Sequence, residues 1–168
     1  MSSLRFAMLL VLPSFVAGAV EPAPAPARET TTIHLEATRE ATDLAERATG
    51  AADGHRVADR VYRYRVESPD SDLDGWATQF GHIDETSGTG THRGNGYWKL
   101  DSGDEVFVLI DGTQRRSGEG ASAATSFEGT FEFLGGTGKY RGATGKGSYS
   151  GTADANGARW TGSATITR

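Results

Sequence analysis

Residues 129–151 read Gly129-Thr-Phe-Glu-Phe-Leu-Gly-Gly-Thr-Gly-Lys-Tyr-Arg-Gly-Ala-Thr-Gly-Lys-Gly-Ser-Tyr-Ser-Gly151. Just ahead of and into this stretch, Phe127, Phe131 and Phe133 fall on one parity while Glu128, Thr130 and Glu132 fall on the other. Successive side chains leave opposite faces of a strand, so this alternation predicts a strand with one buried face. Gly135-Gly136-Thr137-Gly138 interrupts it, because glycine alone takes a positive φ without steric cost. Beyond the turn, Tyr140 and Tyr149 are spaced by Gly142, Gly145, Gly147 and Gly151. Glycine weakens a strand, so this density predicts bends, bulges or close backbone approach, as a curling sheet requires.

Gly135-Gly136-Thr137-Gly138-Lys139 also has the outline of a phosphate-binding loop. The spacing of such a loop would place a glycine at 133 and a serine or threonine at 140, where Phe133 and Tyr140 stand. No long helical pattern follows to set a helix N-terminus under a phosphate, so the stretch reads as a strand-joining turn.

Working outward, Thr30 to Ala37 is β-branched at first and predicts an opening strand. Thr38 to Thr49 is rich in Ala, Glu and Arg. Arg39–Asp43 and Asp43–Arg47 stand at i,i+4, which predicts a short marginal helix ahead of the barrel, capped by Gly50. Val61 to Glu67 alternates, with Tyr62, Tyr64 and Val66 opposite Arg63, Arg65 and Glu67. Trp76 to Glu85 reads as a strand with Trp76, Phe80 and His82 on one side, taken as the inner one. Gly94 to Leu100 sets Trp98 and Leu100 against Tyr97 and Lys99. Val106 to Ile110 is a continuous apolar run, as expected of a strand covered on both faces. Thr113 to Ser126 reads as a polar loop, Asp154-Ala155-Asn156-Gly157 as a hairpin turn, and Arg159 to Thr167 as the last strand. About eight strands in hairpin succession predict an all-β fold, an antiparallel eight-stranded closed β-barrel of calycin-like type.

The amino terminus carries Arg5 and an apolar run from Phe6 to Val20, broken only by Pro13, Ser14 and Gly18, with small residues at Ala17-Gly18-Ala19. That is the pattern of a secretory signal peptide over 1–19, too short and wrongly flanked for a spanning helix. A Pro/Ala-rich linker follows over 20–29 and a single domain over 30–168. The expected location is therefore secreted or periplasmic, with no membrane association after cleavage. The chain has no cysteine, which excludes disulfides, thiol nucleophiles and thiolate metal sites. A net charge of −5 gives no basic footprint for nucleic acid. Arg56, Arg60, Arg63 and Arg65 cluster locally but are interleaved with acids, and read as a solvated strand face.

Phe131 to Gly145, with its Phe-x-x-Gly-Gly-Thr-Gly-x-Tyr-x-Gly-Ala-x-Gly pattern, resembles the C-terminal part of allene oxide cyclases and dirigent proteins. Gly94-x-Gly-Tyr-Trp, Ser102-Gly-Asp, and Val-Phe ahead of Gly112-Thr113 are similar to the secreted bacterial allene oxide cyclase barrel-like proteins. The resemblance spans roughly Asp53 to Thr167. It implies a cofactor-independent barrel whose apolar cavity takes a small apolar molecule. The rings assigned to that cavity are Tyr62, Tyr64, Trp76, Phe80, Trp98, Phe127, Phe131, Phe133 and Trp160. The alternative is that these rings fill the interior of a purely structural module.

Catalysis by an isomerase or cyclase route is the other functional reading. The carboxylate, bound water and cysteine of the plant cyclases do not carry over, because this chain has no cysteine. The paired aspartates and arginine of dirigent proteins find no matching positions among Asp84, Asp104 and Asp111. His82 is the candidate acid–base group, since an imidazole titrates near neutrality. Asp70-Ser-Asp-Leu-Asp-Gly75 matches the first half of a calcium loop, with Asp70, Asp72 and Asp74 as candidate ligands. The glutamate that closes such a loop would stand at position 81, which is Gly81. An acidic turn is the plainer reading there. No strand displays an obvious contact stripe, so the sequence leaves oligomeric state open.

Overall fold

The computed structural model describes residues 29–48, 54–69, 71–119 and 122–168, with the backbone alone for 40–48. The leader, almost all of the linker, and Asp70 lie outside the described residues. Eight strands follow one another: β1 (Thr30–Ala48), β2 (His55–Glu67), β3 (Gly75–Thr86), β4 (Thr89–Leu100), β5 (Glu105–Ser117), β6 (Ala124–Gly136), β7 (Thr144–Asp154) and β8 (Gly157–Thr167). Each pairs antiparallel with the next, and β8 returns to β1 with Ala164 opposite Ile33. The sheet closes on itself and leaves no edge.

One parity of each strand faces the interior. Ile33, Leu35, Tyr64, Val66, Trp98, Val106, Phe131, Phe133, Trp160 and Ile166 form one buried cluster. The rings pack at steep angles: Trp98 meets Phe133 at 5.7 Å and 83°, and Phe131 meets Phe133 at 5.5 Å and 90°. Such edge-to-face pairs add to the stabilisation from burial. The core is densest at the end of the barrel where the β2–β3, β4–β5 and β6–β7 connections meet. Leu73 of the first connection and Tyr140 of the third are both buried there.

The 129–151 stretch builds that plugged end. Gly135 takes φ +117°, and a side chain on Gly136 would strike the Glu105 carbonyl. Thr137 docks on β5, its N–H donating to the Glu105 carbonyl and its Oγ1 accepting from the Glu105 N–H, both at 2.8 Å. A single 3-10 turn over Gly138–Tyr140 then swings Tyr140 beneath the core. The glycines of this motif shape a corner that seats a bung.

Several expectations are corrected. The helix expected over Thr38 to Thr49 is strand as far as Ala48, the last described residue of that stretch. Its backbone pairs with β2 from Ala41 opposite Arg63 to Ala48 opposite Arg56, after a register shift between Arg39 and Ala41. Two i,i+4 ion pairs favour a helix by about 0.5 kcal/mol each, less than a full ladder with the neighbouring strand. The loop expected over Thr113 to Ser126 is mostly ladder, because β5 runs to Ser117 and β6 starts at Ala124. The Val106–Ile110 run is covered on one face only, leaving Phe107 40% and Leu109 45% exposed. Tyr97 lies opposite Phe107 across β4–β5 and is exposed as well.

The face of β3 is also reversed. Its inner residues are Gly75, Ala77, Gln79, Gly81, Ile83 and Glu85, and Trp76, Phe80 and His82 share the outer side. Arg63 covers the Trp76 ring from outside, its guanidinium carbon 4.5 Å from the centroid. That cation–π contact lets a large ring sit on the outer surface. On β2 the basic cluster divides. Arg63 and Arg65 stand outside, while Arg56 and Arg60 share the inner parity of Tyr62 and Tyr64.

Candidate functional site

Among the described residues, the end of the barrel opposite the plug opens to a cavity of about 390 Å³. Its deep part is aromatic: Tyr62, Tyr64, Trp98, Phe127, Phe131 and Trp160 all line it, as does Tyr149. Room for it comes from β3 and β4. Gly81 lies opposite Gly94 on the inner face, and Gly96 sits one inner position along from Gly94. Large rings on β6, β7 and β8 thus share the interior with a patch of β3 and β4, at Gly81, Gly94 and Gly96, that presents no side chain. That asymmetry empties part of a barrel that eight strands could otherwise fill.

Gly81 and Gly94 are not equivalent. A side-chain carbon on Gly81 would make ordinary contact with the Tyr62 ring at 3.5 Å, pointing into the cavity. One on Gly94 would fall 2.0 Å from the Phe80 carbonyl oxygen. The first position leaves space; the second is pressed against backbone.

Polar groups occupy the mouth. Glu85, buried on the inner face of β3, accepts from Arg56 Nη1 at 2.8 Å and from Gln114 Nε2 at 2.5 Å. Arg60 donates through Nη1 to the Tyr62 hydroxyl at 3.2 Å. Its Nε is shut off from solvent and has no hydrogen-bond partner, and no carboxylate pairs with it among the described residues. Trp98 Nε1, deeper in the same wall, likewise has no partner.

One row across four strands sets a polar bridge into the wall. His92 on β4 lies opposite Gly112 on β5, Gly112 opposite Gly129 on β6, and Gly129 opposite Tyr149 on β7. The two glycines clear the space between: a side chain on Gly112 would strike the His92 ring, and one on Gly129 would strike the Tyr149 hydroxyl. His92 Nε2 and Tyr149 Oη therefore meet at 2.5 Å over bare backbone. Burial lowers the His92 pKa below 6.5, partly opposed by Asp111, so its ring is neutral at pH 7. Burial raises the phenols of Tyr149 and Tyr64, which stay protonated.

Of the residues expected to line a cavity, Tyr62, Tyr64, Trp98, Phe127, Phe131 and Trp160 do so. Phe133 is buried in the packed core below the cavity. Trp76 is on the outer surface. Phe80 meets the cavity wall from a strand position whose side chain is 47% exposed on the outside. His82 is outside, where its Nδ1 hydrogen-bonds Asp59 at 2.8 Å. The inward histidine is His92, an even-numbered residue like Trp98 and Leu100, and extending that alternation back along β4 points to it. Arg60 could be reached the same way, by stepping back from Tyr62.

In the β2–β3 turn the described acids Asp72 and Asp74 have partners within the protein. Asp72 accepts from Lys139 Nζ and the Tyr140 hydroxyl, with Arg168 at 3.5 Å. Asp74 accepts from the Ser68 N–H at 2.7 Å. Among the described residues no group of three or more His, Asp or Glu is arranged to hold a metal ion.

No protein-family model matches the chain, and no curated protein matches it in sequence.

Proposed function

We propose that this protein is an exported binding barrel that holds one small, largely apolar molecule in its interior. The observation that carries this reading is the cavity of about 390 Å³, open at one end and walled by rings. Its volume falls within the range of small-molecule sites, which combine apolar walls with a few placed polar groups. Kinship with the allene oxide cyclase and dirigent barrels is part of the proposal. It is supported by the glycine motif at 131–145 and by a closed eight-stranded sheet.

Gly81→Leu tests the cavity. The new side chain extends into open space, so the variant should keep its fold and its melting temperature within a few degrees. It should lose binding of the neutral fluorescent probe N-phenyl-1-naphthylamine. A folded Gly81→Leu protein that binds the probe like the wild type sinks the interior site. Export is proposed from the leader alone. Intact mass of the protein recovered from outside the cytoplasm should correspond to a chain starting near residue 20.

A cofactor-independent isomerase is the second reading, favoured by the His92–Tyr149 bridge rather than by His82. It requires a neutral imidazole beside a bound molecule. Tyr149→Phe should then abolish deuterium incorporation from D2O into a co-purified ligand while leaving the neutral probe bound; incorporation at the wild-type rate in that variant removes the reading.

A further inference from the structure

We infer that the molecule held in this barrel is an amphipathic anion, its apolar body against the rings and its anionic head on Arg60. The inference rests on the proposed interior binding site and adds the chemistry of what fills it.

The charge of the cavity runs against that of the chain. The protein as a whole carries −5. Among the described residues the cavity is nevertheless lined by Arg39, Arg56, Arg60, Arg93 and Arg116, with Glu85 and Asp154 as acids. Glu85 is already committed, held by Arg56 and Gln114 at 2.8 and 2.5 Å. Among the described residues Arg60 has one neutral partner, the Tyr62 hydroxyl, and an Nε that is closed off from solvent and has no hydrogen-bond partner.

An arginine cannot shed its proton to escape this situation. Arg60 is only half-buried, but its Nε is closed off from solvent, and an anion at the cavity mouth would complete its unpaired donor. No nearby phenol supplies that anion. Tyr64 keeps its proton because burial outweighs the pull of Arg39 and Arg60. The group that fits is therefore an oxyanion arriving with the ligand. Guanidinium binds carboxylate, sulfonate and phosphate alike through paired N–H donors. The rest of the ligand must be apolar and compact enough for a cavity walled by Tyr64, Trp98, Phe131 and Trp160.

The test compares two probes with the same ring system. 8-Anilinonaphthalene-1-sulfonate carries an anionic head and N-phenyl-1-naphthylamine does not. Dissociation constants are measured by fluorescence titration at low ionic strength on the full mature chain. The wild type should bind the anionic probe at least about tenfold more tightly, the size of one charge-assisted hydrogen bond. Arg60→Met keeps the apolar stem and should lose that preference, read as the ratio of the two dissociation constants. Arg60→Lys should restore part of it, which guards against a fold defect in the methionine variant. Displacement of the anionic probe by 1-naphthoate or by 1-naphthyl phosphate, with 1-naphthalenemethanol as the neutral competitor, tells which head group suits the site. Equal affinity for the two probes, or a preference that survives Arg60→Met, overturns the inference. The underlying interior site fails separately, if Gly81→Leu leaves both probes bound as in the wild type.

Discussion

His92 and Tyr149 touch because the two positions between them carry no side chain. Gly112 and Gly129 contribute only backbone to that row, so two long polar side chains reach across two strands and bond at 2.5 Å. The pair is half-buried, and removing one partner leaves the other without its hydrogen bond. Tyr149→Phe should lower the unfolding free energy by about 1–3 kcal/mol, the cost of orphaning a buried polar group, measured by urea denaturation at pH 7. The same histidine gives a pH dependence with a defined sign. Its folded pKa lies below the unfolded value of 6.5, so the unfolded chain takes up a proton before the native one does. Stability from this group is full above pH 6.5 and falls as the pH drops through 6.5 toward the folded pKa. His92→Gln should flatten that part of the stability–pH curve; an unaltered slope would place the proton uptake elsewhere.

Among the elements, the β2–β3 and β6–β7 connections act as one unit. The former brings Asp72 and the latter brings Lys139 and Tyr140, and they join beneath the core with Arg168 at the chain end. The acidic turn that matches half of a calcium loop serves here as the acceptor for this plug. Asp72→Asn should therefore lower the melting temperature while leaving affinity for the neutral probe unchanged, since the cavity opens at the other end. Melting temperatures in chelator and in about 5 mM calcium should coincide, because a ligand bound only by the folded state would raise the transition. A calcium-dependent rise would support Asp70, Asp72 and Asp74 as ligands. Strand β1 shows how little local propensity decides at this scale. Residues 38–48 have the composition of a short helix, yet their backbone forms a ladder with β2.

As a whole molecule, the barrel divides along its axis into a packed end and a hollow end within one continuous sheet. The strands run the length of the barrel, so the two ends share one hydrogen-bonded sheet. Urea unfolding followed by tryptophan fluorescence and by far-ultraviolet circular dichroism should give coincident transitions. Trp98 and Trp160 sit inside while Trp76 reports the outer face, so a separate early transition in fluorescence would reveal a hollow end that opens alone. The outer surface carries its own asymmetry, with Phe107, Leu109 and Leu134 exposed on β5 and β6.

Alternation along Phe127–Phe133, Tyr62–Val66 and Trp98–Leu100, together with the glycine corner at 135–138, was enough to predict an antiparallel eight-stranded barrel, though not the strand character of 38–48 or of much of 113–126. Those are local properties: a period of two, and a backbone conformation that only glycine adopts easily. What fell to tertiary structure was which parity faces inward on β3, where Trp76 and Phe80 suggested the wrong side. Nothing along a single strand distinguishes its two faces when the rings are outside and glycines are inside. Only register with β2 and β4 does, and that same register places Gly81 against Gly94 to open the cavity. It also turns Arg60 and His92 inward and carries His82 to the outer surface.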